Sequence, residues 1–153
     1  MCIRDRSLGD NTTVPTLSVS STFNLNSNGI LAIGSGGAVN VNSGGTFNAV
    51  GADISNVATI TRLNVSSTPY AFTVNSGASF GAQFYLFEYM NTDGFRLRSG
   101  STLNATNTLQ NGTFSNGAAT GQYLFFELDF ASRVIANVVF NSCLLYTSDA
   151  ADG

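Results

Sequence analysis

The sequence predicts an all-β fold assembled by stacking one repeated unit, and three observations carry that expectation. Apolar residues recur at every second position, as with Phe23 and Leu25 in STFNLNSNGIL and with Val39 and Val41 in AVNVNSGGTF; this is the period of strands buried on one face. A Ser-Gly or Ser-Asn turn follows such a pair at four places. No stretch sustains a long helical period, and no apolar run is long enough to cross a membrane as a helix. The abundance of Asn, Ser, Thr and Gly does not spell disorder. Disordered segments are poor in aromatic and β-branched residues and carry high net charge, whereas this chain has 12 Phe and a net charge of only −3.

Taken in order, LSVSSTF (Leu17 to Phe23) reads as a shortened first copy of the unit. FNLNSNGIL (Phe23 to Leu31) and VNVNSGGTF (Val39 to Phe47) share an apolar-x-apolar-x-Ser-x-x-x-apolar pattern, and FTVNSGASF (Phe72 to Phe80) and FRLRSGSTL (Phe95 to Leu103) repeat it. A shared signature of this kind means one supersecondary unit reused along the chain. Phe23, Leu25, Val39, Val41, Phe72, Val74, Phe95 and Leu97 are the expected inward residues, with Phe23 stacked near Val39 on the next coil. Ala38, Gly44 and Ala78 suit tight turns, and Pro69 marks a loop between shorter-period and longer-period coils. FYLFEY (Phe84 to Tyr89) and YLFFELDF (Tyr123 to Phe130) break the alternation. They read as wider strands or a core-covering flap, or else as an exposed aromatic patch.

A second pattern, apolar-x-Asn-x-x-Phe-x-polar, appears in LQNGTFSN (Leu109 to Asn116) and IANVVFNS (Ile135 to Ser142), and ISNVAT (Ile54 to Thr59) carries its first half. Stacked rung on rung, Asn56, Asn111 and Asn137 would form one turn column. Asparagine suits that place because it tolerates left-handed backbone and because its amide both donates and accepts along the stack.

With these turns and rungs in view, the chain resembles the right-handed parallel β-helix proteins of the pectate-lyase-like type and the repeat-built passengers of bacterial surface adhesins. The NSGG and NSGA turns resemble the adhesin repeats, and LQNGTFSN and IANVVFNS resemble asparagine-bearing β-helix rungs. The resemblance covers most of Ser7 to Ser142. It implies a right-handed parallel β-helix, that is a β-solenoid, serving as a structural or adhesive repeat region of a secreted or surface-displayed protein. An extracellular or cell-surface location follows, with a glycan or a host or cell-surface molecule as partner. On the residues alone a β-sandwich with Gly-Asn-rich turns is the competing architecture. The repeated side-chain signature favours the solenoid, since sandwich strands share a core without needing one.

Both ends carry a different resemblance. MCIRDR (Met1 to Arg6) resembles the translation of a transposase mosaic-end sequencing adaptor, and CLLYTSDAAD (Cys143 to Asp152) resembles that adaptor's opposite strand. The expectation is therefore an adaptor-derived tail at 1–6, a solenoid fragment at 7–142 and a second tail at 143–153. Both tails should lie outside the coils, Cys2 and Cys143 should be unpaired, and the rest of the natural chain should be the fragment's immediate partner. Within 7–142 the charges are Arg62, Arg96, Arg98 and Arg133 against Asp10, Asp53, Glu88, Asp93, Glu127 and Asp129, with no Lys and no His. Nucleic acid is disfavoured as a partner, because phosphate neutralisation needs clustered Lys or Arg.

Chemistry-bearing residues are few. Asp93, Arg96 and Arg98 read as an ion pair or as a glycan-binding trio beside Tyr89 and Phe95. Glu127 and Asp129, two apart, share one strand face, with Arg133 nearby. Paired carboxylates of this kind serve glycoside hydrolysis or calcium, but a solvated strand face or turn with a surface ion pair is the favoured reading. No catalytic residue, metal ligand or cofactor is assigned. The alternative function is part of a carbohydrate-active β-helix enzyme, a polysaccharide lyase or glycoside hydrolase, whose carboxylates would gather from neighbouring rungs.

Overall fold

The computed structural model describes residues 2–3, 6–8, 12–106, 108–118, 120–121, 123–127 and 135–141. Among them the chain runs through β1 (Cys2–Ile3), β2 (Arg6–Leu8), β3 (Thr12–Val19), β4 (Thr22–Leu25), β5 (Ile30–Val41), β6 (Thr46–Val50), β7 (Ala58–Arg62) and β8 (Tyr70–Val74). It continues through β9 (Ser79–Gln83), β10 (Tyr85–Glu88), β11 (Met90–Leu97), β12 (Thr102–Leu103), β13 (Thr113–Ser115), β14 (Leu124–Phe126) and β15 (Val139–Asn141). Every ladder between these strands is parallel, and the antiparallel contact among the described residues is the single bridge Asp53 to Asn56. The β-sandwich is thereby set aside, since it is built from antiparallel pairs. The protein is all-β, with parallel strands in a strongly curled sheet compatible with a β-solenoid.

Three ladders run side by side. In the first, the start of β3 pairs with the start of β5, then β7, β10, β13 and β15 follow. In the second, β1 pairs with the end of β3, followed by the end of β5, β8, β11 and β14. The third is β2, β4, β6, β9 and β12. Because β3 and β5 bend through both of the first two ladders, these form one 10-stranded sheet beside a separate 5-stranded one. The bend has a visible cause. The register breaks between Val14 and Thr16, and a Cβ on Gly37 would stand 1.7 Å from the Pro15 carbonyl oxygen. Only a glycine lets the corner of β5 lie on Pro15.

Register fixes what meets what inside. Val39 pairs with Leu17 and Phe72, and Phe72 with Phe95, while Phe47 pairs with Phe23 and Phe80, and Phe80 with Leu103. The copies beginning at Leu17, Val39, Phe72 and Phe95 therefore stack in register. The pattern at Phe23 to Leu31 is displaced by one face, and the expected stacking of Phe23 on Val39 is corrected: Phe23 lies against Phe47, ring centroids 4.9 Å apart. The physical reason is that the alternation is identical on every face, so periodicity cannot say which face a copy occupies. All eight expected inward residues are fully buried.

The core is aromatic in two directions. Along the stack, Phe87 and Phe114 lie 5.4 Å apart and tilted by 17°, and Phe114 and Phe140 lie 5.4 Å apart at 11°. Across it, Phe72 meets Phe47 and Phe87 edge to face, at 84° and 83°. Such pairs contribute about 0.5–1.5 kcal/mol each beyond their buried area. FYLFEY belongs to this core: Tyr85 and Phe87 are buried, and Phe84 and Tyr89 form corners with φ of 50° and 58°.

The expectation that residues 1–6 would lie outside the coils is corrected for Cys2, Ile3 and Arg6, the described residues among them. Cys2 and Ile3 pair with Ser18 and Val19, and Arg6 pairs with Phe23. Backbone pairing at a free strand edge asks little of the side chains that join it. Cys143 and the rest of 142–153 lie outside the described residues.

The Ser-Gly turns form a column of their own. Gly44, Gly77 and Gly100 have φ of 78°, 74° and 81°, and the Gly44 and Gly77 amides donate to the carbonyls of Gly77 and Gly100 at 2.9 and 2.8 Å. A Cβ on Gly77 would meet Ser43 Oγ at 2.5 Å and one on Gly100 would meet Ser76 Oγ at 2.3 Å, whereas one on Gly44 would meet nothing within 4 Å. Gly44→Ala should therefore cost only the left-handed strain of about 1–2 kcal/mol. Gly77→Ala and Gly100→Ala must in addition turn an exposed serine hydroxyl aside and bring two Cβ atoms within 3.3 Å, so each should lose on the order of 0.5 kcal/mol more. Urea denaturation midpoints check this, and three equal losses would remove the stacking contact from the explanation.

Two tyrosines add a pH dependence. Burial holds the Tyr70 phenol well above its ordinary value of 10.0, with the Glu88 carboxylate adding to the effect, and burial alone raises that of Tyr85. Above pH 10 the unfolded chain has released these protons and the folded one has not. The stability they supply is thus complete below about pH 10 and is lost as the pH rises further. Alkaline titration should show phenolate absorbance from both appearing together with unfolding, and the Tyr85→Phe variant should lose stability less steeply.

Candidate functional site

The asparagine-bearing corner lies where the third ladder hands over to the first. Register places Asn28, Val57, Phe84, Asn111 and Asn137 at one corner position, since Ile30, Thr59, Leu86, Thr113 and Val139 pair in succession. Four of these five residues have positive φ: 60° at Asn28, 50° at Phe84, 51° at Asn111 and 54° at Asn137. A single left-handed residue turns the chain sharply, and asparagine adopts that conformation at low cost. Asn137 Nδ2 donates to Asn111 Oδ1 at 2.9 Å, and the Asn111 amide donates to the Ala136 carbonyl at 3.0 Å.

Asn56 sits one residue before the corner position, which Val57 occupies. It belongs to an inserted loop tied by Asp53. Asp53 Oδ1 accepts from the Ser55 amide at 2.8 Å and the Asn56 amide at 3.0 Å, and both its carboxylate oxygens accept from Asn56 Nδ2 at 3.0 Å. The Asn56 side chain and the Ser55 amide hold the Asp53 carboxyl below its ordinary value. From this loop Asn56 Oδ1 accepts from Asn28 Nδ2 at 3.1 Å. Asn28 was the residue that pattern matching missed. Its signal was present, for it stands three residues before inward Leu31 as Asn111 stands three before Phe114 and Asn137 three before Phe140.

Beside this corner lies a cavity of about 230 Å³, walled by Ile54 and Val57 of the inserted loop, by Asn111, Thr113 and Asn137, and by Tyr85 from the rung below. Ile54 is 81% exposed at the loop's tip. Gly112 completes the wall, and a larger residue there would displace the Tyr85 ring, since a Cβ would stand 2.1 Å from Tyr85 Cζ.

The charged residues lie elsewhere. Exposed Asp93 and half-buried Arg96 pair at 3.7 Å, and exposed Arg98 and half-buried Glu127 pair at 3.1 Å. Arg96 lies 5.1 Å over the Phe125 ring, and the Ser99 amide donates to Glu127 Oε2 at 3.3 Å. Arg98 continues a polar column, for its backbone amide donates to the Val74 carbonyl at 2.9 Å just as that of Asn75 donates to the Val41 carbonyl at 2.9 Å, and Asn75 Nδ2 donates to Asn42 Oδ1 at 3.4 Å. Tyr89 does not join the Asp93, Arg96 and Arg98 group; its ring lies 4.2 Å beneath the Arg62 guanidinium. Asp129 and Arg133 lie outside the described residues. Among the described residues, no three His, Cys, Asp or Glu side chains come together as a metal site would require. Compared with known proteins, the chain matches no family model, no curated protein and no solved structure.

The corner geometry orders the outcome of substitutions at Asn111. Glycine takes the same backbone freely, so Asn111→Gly should stay within about 1 kcal/mol of the parent. A β-branched residue is an outlier at positive φ, so Asn111→Val should cost more than about 2 kcal/mol, adding left-handed strain to the lost amide bond. Thermal unfolding of both variants measures the difference, and equal losses would mean that backbone conformation is not what asparagine supplies here.

Proposed function

We propose that the chain is a structural or adhesive repeat region of a secreted or surface-displayed bacterial protein, folded as a right-handed parallel β-helix of the kind seen in pectate-lyase-like and adhesin proteins. The observation that carries the reading is the registered stacking of the repeat. The most regular features of the sequence, the inward Phe and Val positions, the Ser-Gly turns and the corner asparagines, all serve contact between one coil and the next. A chain whose repeated residues are spent on self-stacking is suited to length and rigidity, as repeat arrays are. The outward Asn, Ser and Thr side chains leave a neutral polar surface on which a glycan or another cell-surface molecule can be met without charge steering.

The competing reading is a polysaccharide lyase or glycoside hydrolase. The paired arrangement of Arg98 with Glu127 and of Arg96 with Asp93 favours the scaffold, because each carboxylate already faces a cation. The adaptor reading of residues 1–6 and 143–153 is also part of this proposal, with the remainder of a longer chain as partner. Sequencing across the uninterrupted reading frame tests both. Further Ser-Gly rungs in place of MCIRDR and CLLYTSDAAD, leading to a surface-anchoring segment, are the expected result. Rungs bearing clustered carboxylates, with polysaccharide turnover by the purified full chain, would replace the scaffold by the enzyme.

A further inference from the structure

We propose that Asn64 is an acceptor for N-linked sugar transfer. Four Asn-x-Ser/Thr triplets occur in the chain, at Asn11, Asn64, Asn104 and Asn111, and such a triplet accepts a glycan where it lies on an accessible surface loop. The fold sorts three of them, Asn11 lying outside the described residues. Asn111 is committed to its corner, where its Oδ1 accepts from Asn137 Nδ2 and Thr113 belongs to β13. Asn104 is half-buried, and its amide continues the third ladder by donating to the Phe80 carbonyl at 2.7 Å. Asn64 stands apart from the rungs. It is exposed in the loop that joins β7 to β8, between Leu63 and Val65, which are 51% and 71% exposed. The base of this loop is tied to β5, with the Thr68 amide donating to Ser35 Oγ at 3.0 Å and the Gly36 amide to the Thr68 carbonyl at 3.1 Å. Its tip can therefore carry a bulky group without disturbing a ladder.

The residue two places on prepares the acceptor. The Ser66 hydroxyl and amide donate to Asn64 Oδ1 at 2.8 and 3.2 Å, while the Ser67 amide and hydroxyl donate to the Asn64 carbonyl at 3.0 and 2.6 Å and hold the turn. Bonds to Oδ1 draw electron density toward oxygen, which makes the Nδ2 protons easier to remove, and both of those protons remain on the solvent side of the turn for an incoming group. In the transfer, Asn64 Nδ2 attacks the anomeric carbon of a sugar bonded to a diphosphate and presented by a transferase. A C–N bond forms as the C–O bond to the diphosphate breaks, the diphosphate leaves with the bonding pair, and one Nδ2 proton passes to a base of the transferase. A nucleoside diphosphate and a lipid diphosphate present the same reacting carbon. The C–H face of the attached ring can then pack on Leu63 and Val65 and take their apolar surface out of water. This goes beyond the scaffold reading, which requires no modification.

Peptide mass spectrometry on the whole folded protein tests the proposal. One arm supplies a soluble bacterial N-glycosyltransferase with UDP-glucose, and the other an oligosaccharyltransferase with its lipid diphosphate oligosaccharide. Sugar on Asn64 is expected in at least one arm, which identifies the donor, while Asn111 should be modified in a synthetic Leu109 to Asn116 peptide and not in the folded protein. Ser66→Ala should slow modification of Asn64 by about tenfold or more, and Ser66→Thr should preserve it, with thermal unfolding unchanged in both because the turn lies outside the rungs. The proposal is overturned by absence of sugar on Asn64 in both arms, by modification of Asn111 in the folded protein as fast as that of Asn64, or by undiminished modification in Ser66→Ala. Failure here leaves the scaffold reading standing.

Discussion

Every other feature of this protein depends on keeping successive coils in parallel register. A parallel ladder supplies evenly spaced backbone bonds along the stack at about 4.8 Å per rung, but only if each coil returns to the same place after turning its corners. A slip of one residue would carry Phe23, Phe47 and Phe80 to the outside face together. The corners are therefore where the sequence is least free. Gly44, Gly77 and Gly100 hold one of them with φ between 74° and 81°, Gly37 clears the Pro15 carbonyl at another, and Asn111 and Asn137 hold a third.

That constraint explains the chemistry of the surface. Identical outward positions fall one above another, so a charge repeated in each copy would face its own likeness one rung away. Asparagine, serine and threonine avoid the repulsion and can hydrogen-bond along the column, as Asn48 Nδ2 does to Asn24 Oδ1 at 2.9 Å. One charge that enters a column meets its opposite, Arg98 against Glu127. That pair is exposed enough to contribute no more than about 1 kcal/mol, so the stack is held by its core and its backbone rather than by ions. The insertion at Ala52 to Val57 shows the other side of the rule: a corner can be lengthened without disturbing the rungs, provided the loop closes on itself, as the Asp53 bonds make it do. Ile54 and Val57 of that insertion wall one side of the cavity.

Alternation and repetition were enough to read the strands, the inward residues and the parallel stack, because strand period and turn chemistry are local properties. Three things were not local. Which face a copy occupies depends on corner lengths summed around a coil, so FNLNSNGIL matched its neighbours in pattern while lying one face away from them. Whether Asn56 or Val57 fills a corner depends on where the inserted loop rejoins the ladder, a one-residue difference that a half-motif cannot resolve. The grouping of Tyr85 with Asn111, Asn137 and Ile54 joins residues from four coils, brought together only when the stack is assembled. The sequence by itself determined the β-rung, its turn residues and its buried face, since these follow from side-chain period and backbone preference. Tertiary structure alone decided the register between rungs, and with it the cavity beside the asparagine corner, because register is a property of two coils in contact and is written in neither one.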